Sequence, residues 1–190
     1  MPLVREFRES FKITEQVAIE TNQSYQENEL LNIAYLSFYY GAIGEISSEI
    51  LKSILQNESD IFVNKLLSTF EEKQKELIRQ RKFYYNPFEG HQSRLGHYYR
   101  HLYQTTKYVD TQKININKYE YVKTLRAQLS NHEQVLFCYN ILSNLGKNWI
   151  DEKLVIKYKM IKNIPHNLIT EFDLKARFPE LIFEWEKNLV

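Results

Sequence analysis

Apolar residues recur along this chain at helical spacing and almost nowhere in strict alternation. Between Tyr25 and Tyr40, the residues Leu30, Leu31, Ala34, Leu36, Phe38 and Tyr39 crowd most of a helical circumference, which predicts a deeply buried helix. Gly41 and Gly44 interrupt it, and Ser47 and Ser48 can cap a second helix reaching about Leu55. Ser59-Asp60 opens a long helix to about Lys82, with Phe62, Val63, Leu66, Leu67, Phe70, Leu77 and Ile78 inward. The mixed-sign run from Glu71 to Glu76 is its solvated face. The stretch from Phe83 to Gly90 reads as a loop closed by Pro87 and Gly90, and its aromatic residues predict that it packs back over the fold.

Four more helices follow. They are predicted over Gln92–Val109, over Tyr119–Leu129, from the capping box Ser130-Asn131-His132-Glu133 to Gly146, and over Ile150–Lys162 before Pro165. A last one starts at Pro179, a favoured first-turn residue, and carries Leu181, Ile182 and Trp185. The first two dozen residues are polar and weakly periodic, and the alternation from Lys113 to Asn117 is too short for a strand. The expected fold is all-α, a single-domain helical bundle of roughly six to eight helices. A polar N-terminal segment (1–24) precedes a helical domain (25–165), and a C-terminal helical extension (166–190) packs on the same domain.

Composition sharpens this picture. Five Gly and four Pro in 190 residues leave few breakers, which agrees with long helices. At this length about 70% of the unfolded surface goes inside, enough for a real core. The net charge is +1, so any anion site must be local. The single cysteine, Cys138, lies in an apolar run and reads as a small buried hydrophobe, with no disulfide framework within one chain. That cysteine usage, the charged start of the sequence and the lack of a membrane-length apolar run predict a cytoplasmic protein.

Candidate chemistry concentrates between Gly90 and Tyr103, which hold three of the five histidines and two arginines. On a helical wheel Leu95, Tyr99, Leu102, Thr106 and Val109 form a core face. Arg94, His97, Tyr98, His101, Thr105 and Tyr108 form a second face, and Gly96, Arg100, Tyr103 and Lys107 a third, wetter one. His97 and His101 at i, i+4 could share a metal, but no carboxylate stands at the next turn, so no metal and no cofactor is expected. The alternative is that these histidines bridge polar groups between helices. A second constellation runs from Leu125 to Glu133. Arg126 starts from the core side beside Val122, Leu125 and Leu129, and a buried arginine must be paired or bind an anion. His132 falls in the first turn of the next helix, where the dipole favours a neutral imidazole able to act as a base.

Three stretches carry a family resemblance: Asn32 to Gly41, Phe88 through Gly90-His91 and Arg94-Leu95-Gly96-His97-Tyr98-Tyr99-Arg100-His101 to Gln104, and Leu125 to Ser130. In this order they resemble the phage abortive infection (AbiC-like) family over roughly residues 25–165. The resemblance implies bacterial antiviral defence by arrest or death of the infected cell, and supplies no reaction. Many members carry membrane-spanning helices ahead of this domain; none is expected here. A looser resemblance concerns mechanism. Arg126-x5-His132 is similar to the Arg-to-His spacing of HEPN ribonucleases, all-helical domains common among abortive infection effectors, and Arg94-x6-His101 fits it as well. In those proteins the arginine and histidine act on RNA without metal. Ala127 stands where a polar residue usually follows the arginine, and the capping box puts a helix break before His132.

Two readings are therefore open. In one, the protein is a metal-independent RNA-cleaving endoribonuclease with Arg94, His97, His101, Arg126 and His132 as catalytic candidates and His91, Tyr98, Arg100, Gln104 and Gln128 as binding candidates. In this reading Arg126 reaches the turn bearing His97 and His101. In the other, it is a non-enzymatic helical sensor or scaffold that binds a phage component or a partner protein through the Gly90–Tyr103 surface. RNA, or a phage or host protein, is the expected partner, and a homo-oligomer is compatible with both.

Overall fold

The computed structural model describes the backbone of residues 2–189 and the side chains of residues 2–186. Its first helix, α1 (Pro2–Glu20), forms where the sequence is weakly periodic. The reason lies in its buried face. Val4, Phe7, Phe11, Ile13, Val17 and Ala18 are buried together with Glu6, Ser10 and Thr14, so polar residues dilute the apolar stripe. The two hydroxyls are satisfied within the helix: Ser10 Oγ donates to the Glu6 carbonyl at 3.1 Å and Thr14 Oγ1 to the Ser10 carbonyl at 2.9 Å.

Three helices follow: α2 (Glu27–Tyr40), α3 (Glu45–Ile54) and α4 (Asp60–Arg79). The Glu29 carboxylate accepts the Gln26 N–H at the start of α2, and Ser59 Oγ accepts the Phe62 N–H at the start of α4. Then come α5 (Gln92–Thr111), α6 (Lys118–Arg126) and α7 (Asn131–Leu142). The Ser130–Glu133 capping box sits where the sequence places it. Three four-residue helices, α8 (Asn148–Asp151), α9 (Leu154–Lys157) and α10 (Leu174–Arg177), complete the set, with 3₁₀ turns at His166–Leu168 and Glu184–Leu189. The fold is all-α: the described residues hold ten α-helices and no strand, more than the six to eight expected because of these short turns.

Two predicted helices resolve differently. The helix expected over Ile150–Lys162 is broken into α8 and α9 by Lys153, which sits in the left-handed region at φ +57°. The helix expected from Pro179 does not form as an α-helix. Leu181 and Phe183 both turn into the core two residues apart, a spacing that suits an extended segment better than a helix. No helix among the described residues is long and apolar enough to cross a membrane.

The chain gathers into two compact units, Met1–Gly96 and His97–Val190, with the division falling inside α5. In the first, α1 packs on α2 and α4, and the core joins Ile13, Val17, Ile33, Leu36, Leu51, Phe62, Leu66, Phe70 and Phe88. The aromatic loop does pack back: Phe88 is fully buried, with its ring edge-on to Phe70 at 5.0 Å. In the second unit Phe137 and Trp149 meet edge to face at 4.8 Å with Tyr99 against Phe137 at 6.0 Å, and Leu102, Val135, Leu154, Val155 and Tyr158 are buried in the same unit.

Candidate functional site

The Gly90-His91 dipeptide opens α5, and its first task is structural. Gly41 and Gly90 hold φ of +92° and +93° and lie backbone to backbone. A Cβ on Gly90 would stand 2.5 Å from the Tyr40 carbonyl oxygen. Around this crossing the His91 N–H donates to the Tyr39 carbonyl at 2.8 Å, and the Ala42 and Ile43 N–H groups donate to the Phe88 carbonyl at 2.9 and 3.2 Å.

Glu6 of α1 closes the same corner from inside. It is fully buried, and its Oε1 accepts the Phe88 N–H at 2.7 Å while Oε2 accepts the Tyr85 hydroxyl at 2.5 Å. Both oxygens of the buried carboxyl group therefore have a donor. His91 Nε2 lies 3.0 Å from Oε1, close enough for an ion pair but not aligned as a hydrogen bond. Burial, then the Glu6 carboxylate, push the Tyr85 phenol far above its usual range. His91, a binding candidate from the sequence, is thus 6% exposed and faces Glu6, with Phe38 against its ring at 4.7 Å. Glu6 was missed, although a wheel sets it on the side of Ile13 and Val17.

The faces read for α5 are close to those observed. Leu95, Tyr99, Leu102 and Thr106 are buried, and Val109 is half-buried. Arg94, His97, Arg100, His101 and Gln104 stand exposed. Tyr98 is half-buried; burial, then the nearby Glu133 charge, raise its phenol to about 12. Further along, Tyr103 O–H donates to Glu152 at 2.7 Å, and Lys107 pairs with the same carboxylate. Asp110 accepts the Tyr158 hydroxyl at 2.6 Å and pairs with Lys157 at 2.5 Å.

The second constellation divides. Arg126 is buried, as the wheel predicts, but its partners are neither a carboxylate nor a histidine. Its Nη1 donates to the Tyr158 and Lys159 carbonyls at 2.8 and 3.1 Å, and its guanidinium carbon lies 5.9 Å from the Tyr119 ring centroid. His132 is half-buried in the first turn of α7, and Gln128 is exposed. Among the described residues no hydrogen bond, ion pair or ring contact joins Arg126 or His132 to His97 or His101. The structure therefore keeps His97 with His101 on one side of α5, and groups Arg126 with Tyr119, Tyr158 and Lys159. It also brings in Lys159 and Lys162, which sequence reasoning passed over. Among the described residues no group of three His, Cys, Asp or Glu side chains could hold a metal.

No curated protein and no solved structure matches the chain. Residues 90–169 match the family model described as "Putative phage abortive infection protein".

Proposed function

We propose that the protein serves antiphage defence by abortive infection through recognition: exposed Arg94, His97, Arg100, His101 and Gln104 of α5 contact a phage component or a partner protein. The observation that carries this reading is the state of the arginines. Arg94 and Arg100 stand in solvent on α5, whereas Arg126 is turned inward onto backbone carbonyls. Exposed arginines with neighbouring tyrosines suit a protein interface, where both residue types are enriched. The reading places the protein in the bacterial cytoplasm.

The ribonuclease reading draws on one observation of its own. Arg94, His97 and His101 project from one side of α5 and are all exposed. A histidine there would take the proton of a ribose 2′-hydroxyl, and the arginine would hold the phosphate as charge develops.

The test is phage plating on cells expressing the wild type, the Arg94→Ala variant and the His97→Ala/His101→Ala double variant. Protection should be lost in both, with circular dichroism and thermal unfolding unchanged, because these side chains are exposed. Full protection by both variants would remove the α5 surface from the function. Cleavage of RNA by purified protein in a chelator, lost in the histidine variant, would replace recognition by the ribonuclease reading.

A further inference from the structure

Arg126 ends α6 with 4% of its surface exposed. A buried guanidinium ordinarily has an anion against it, because an uncompensated charge is costly away from water. Here its partners are the Tyr158 and Lys159 carbonyls, which carry no net charge. Among the described residues no carboxylate lies within ion-pair distance of Arg126 or Lys159.

Other cations gather at the same place. The Lys159 ammonium lies 5.9 Å from the Tyr119 ring centroid, the distance at which Arg126 stands from that ring. Lys162 adds a third positive charge and is tied to Glu184 at 3.2 Å, a carboxylate that is itself 52% exposed. Three cations therefore face one rim carboxylate. The phenol oxygen feels the excess. Burial would raise Tyr119, but Arg126, then Lys159 and Lys162, outweigh it and hold the phenol below the ordinary tyrosine value. The place is also fixed in shape. Lys159 holds a left-handed φ of +52°, and Arg126 donates to its carbonyl, so the guanidinium braces the turn that presents this lysine.

We propose that Tyr119, Arg126, Lys159 and Lys162 form a binding site for a phosphoryl anion. The two ammoniums and the Tyr119 O–H are its direct contacts, and Arg126 is the fixed charge beneath them. A phosphate monoester carries about two negative charges at neutral pH, which matches three cations set against one carboxylate. Lysine supplies that attraction as a point charge, without demanding fork geometry. The site shares no residue with the exposed row on α5, and the proposal does not depend on that row.

The test titrates the purified full chain with inorganic phosphate, a nucleoside monophosphate and a single-stranded RNA oligonucleotide, with sodium chloride at matched ionic strength as control. Binding is read by thermal unfolding and by phenolate absorbance against pH. A bound phosphoryl group should stabilise the fold and move the Tyr119 phenolate transition to higher pH, because it cancels the surrounding positive charge. Tyr119→Phe should remove that spectroscopic step. Lys159→Ala/Lys162→Ala should weaken binding by about tenfold or more, each charge-assisted contact being strong. A response to phosphate and monophosphate assigns the site to small phosphoryl ligands, and a response to RNA alone assigns it to the phosphodiester backbone. No response beyond that to chloride, or equal binding by the double lysine variant, would overturn the proposal.

Discussion

Gly44 and Gly90 allow the cost of a steric crossing to be separated from the cost of an unfavourable backbone angle. Both hold a positive φ, +97° and +93°, at which an alanine is strained by about 1–3 kcal/mol. Their surroundings differ. A Cβ on Gly44 meets nothing within 4 Å, whereas one on Gly90 meets the Tyr40 carbonyl oxygen at 2.5 Å, its carbon at 2.7 Å and the Gly41 nitrogen at 2.9 Å. Those atoms are backbone and cannot swing aside as a side chain would. Relief requires the strands of the crossing to part, which lengthens the His91–Tyr39 and Ala42–Phe88 hydrogen bonds of 2.8 and 2.9 Å. At about 0.5–1.5 kcal/mol each, their loss adds about 1–3 kcal/mol to the strain. Gly44→Ala should therefore cost about 1–3 kcal/mol and Gly90→Ala about 2–6 kcal/mol, measured by urea denaturation with fluorescence and circular dichroism. Equal losses at the two sites would show that the crossing yields without cost, and would refute the steric argument.

Three further outcomes follow from the same structure. Glu6→Ala should destabilise by about 3–5 kcal/mol in denaturant titrations, because it strands the buried Phe88 N–H and His91 together with the half-buried Tyr85 hydroxyl; a loss below about 1 kcal/mol would mean the corner is held by packing alone. Burial would raise the Asp110 carboxyl, but Lys157 and the Tyr158 hydroxyl hold it below its ordinary value of 3.8. Its contribution to stability is therefore present above that value and lost as pH falls through the folded one, so Asp110→Asn should lose less stability than the wild type between pH 7 and pH 3. Cys138 is wholly buried and its thiol is pushed far up by burial, so an aromatic disulfide reagent should label it only as fast as the protein opens; rapid labelling in native buffer would contradict the burial.

How far the sequence could be read depended on how each element meets the core. The stripe on α5 was legible because Leu95, Tyr99 and Leu102 are apolar and buried, so a wheel alone orients the helix. The stripe on α1 was not, because Glu6, Ser10 and Thr14 share the buried side with Val17; the two hydroxyls are satisfied within the helix and Glu6 by Tyr85 and Phe88, partners that no local pattern shows. The break at Lys153 was hidden for a different reason: a lysine gives no local sign that it will take a left-handed turn. For the candidate site, burial of Arg126 was legible from its neighbours Val122 and Leu129, but its partners were not. Those are carbonyls of residues 158 and 159, supplied by a turn that no spacing rule links to α6. His91 is a binding candidate in sequence because it falls in the stretch where histidines and arginines concentrate, while the group that claims it, Glu6, lies 85 positions earlier.

The Gly41–Gly90 crossing bears on how this protein can be cut. The family match starts at residue 90, yet Gly90 and His91 are held by Tyr39, Gly41 and Glu6, all outside it. The limits of a sequence family and the limits of a packing unit are set by different forces here, and they fall seven residues apart, at 90 and at Gly96/His97. An expression fragment trimmed to the family match would begin with a left-handed glycine lacking the backbone it was shaped to meet. It would also carry a histidine stripped of its buried acid. A fragment that keeps α1 and α2 would retain both, so truncation series on this protein are better anchored on the glycine crossing than on the family boundary.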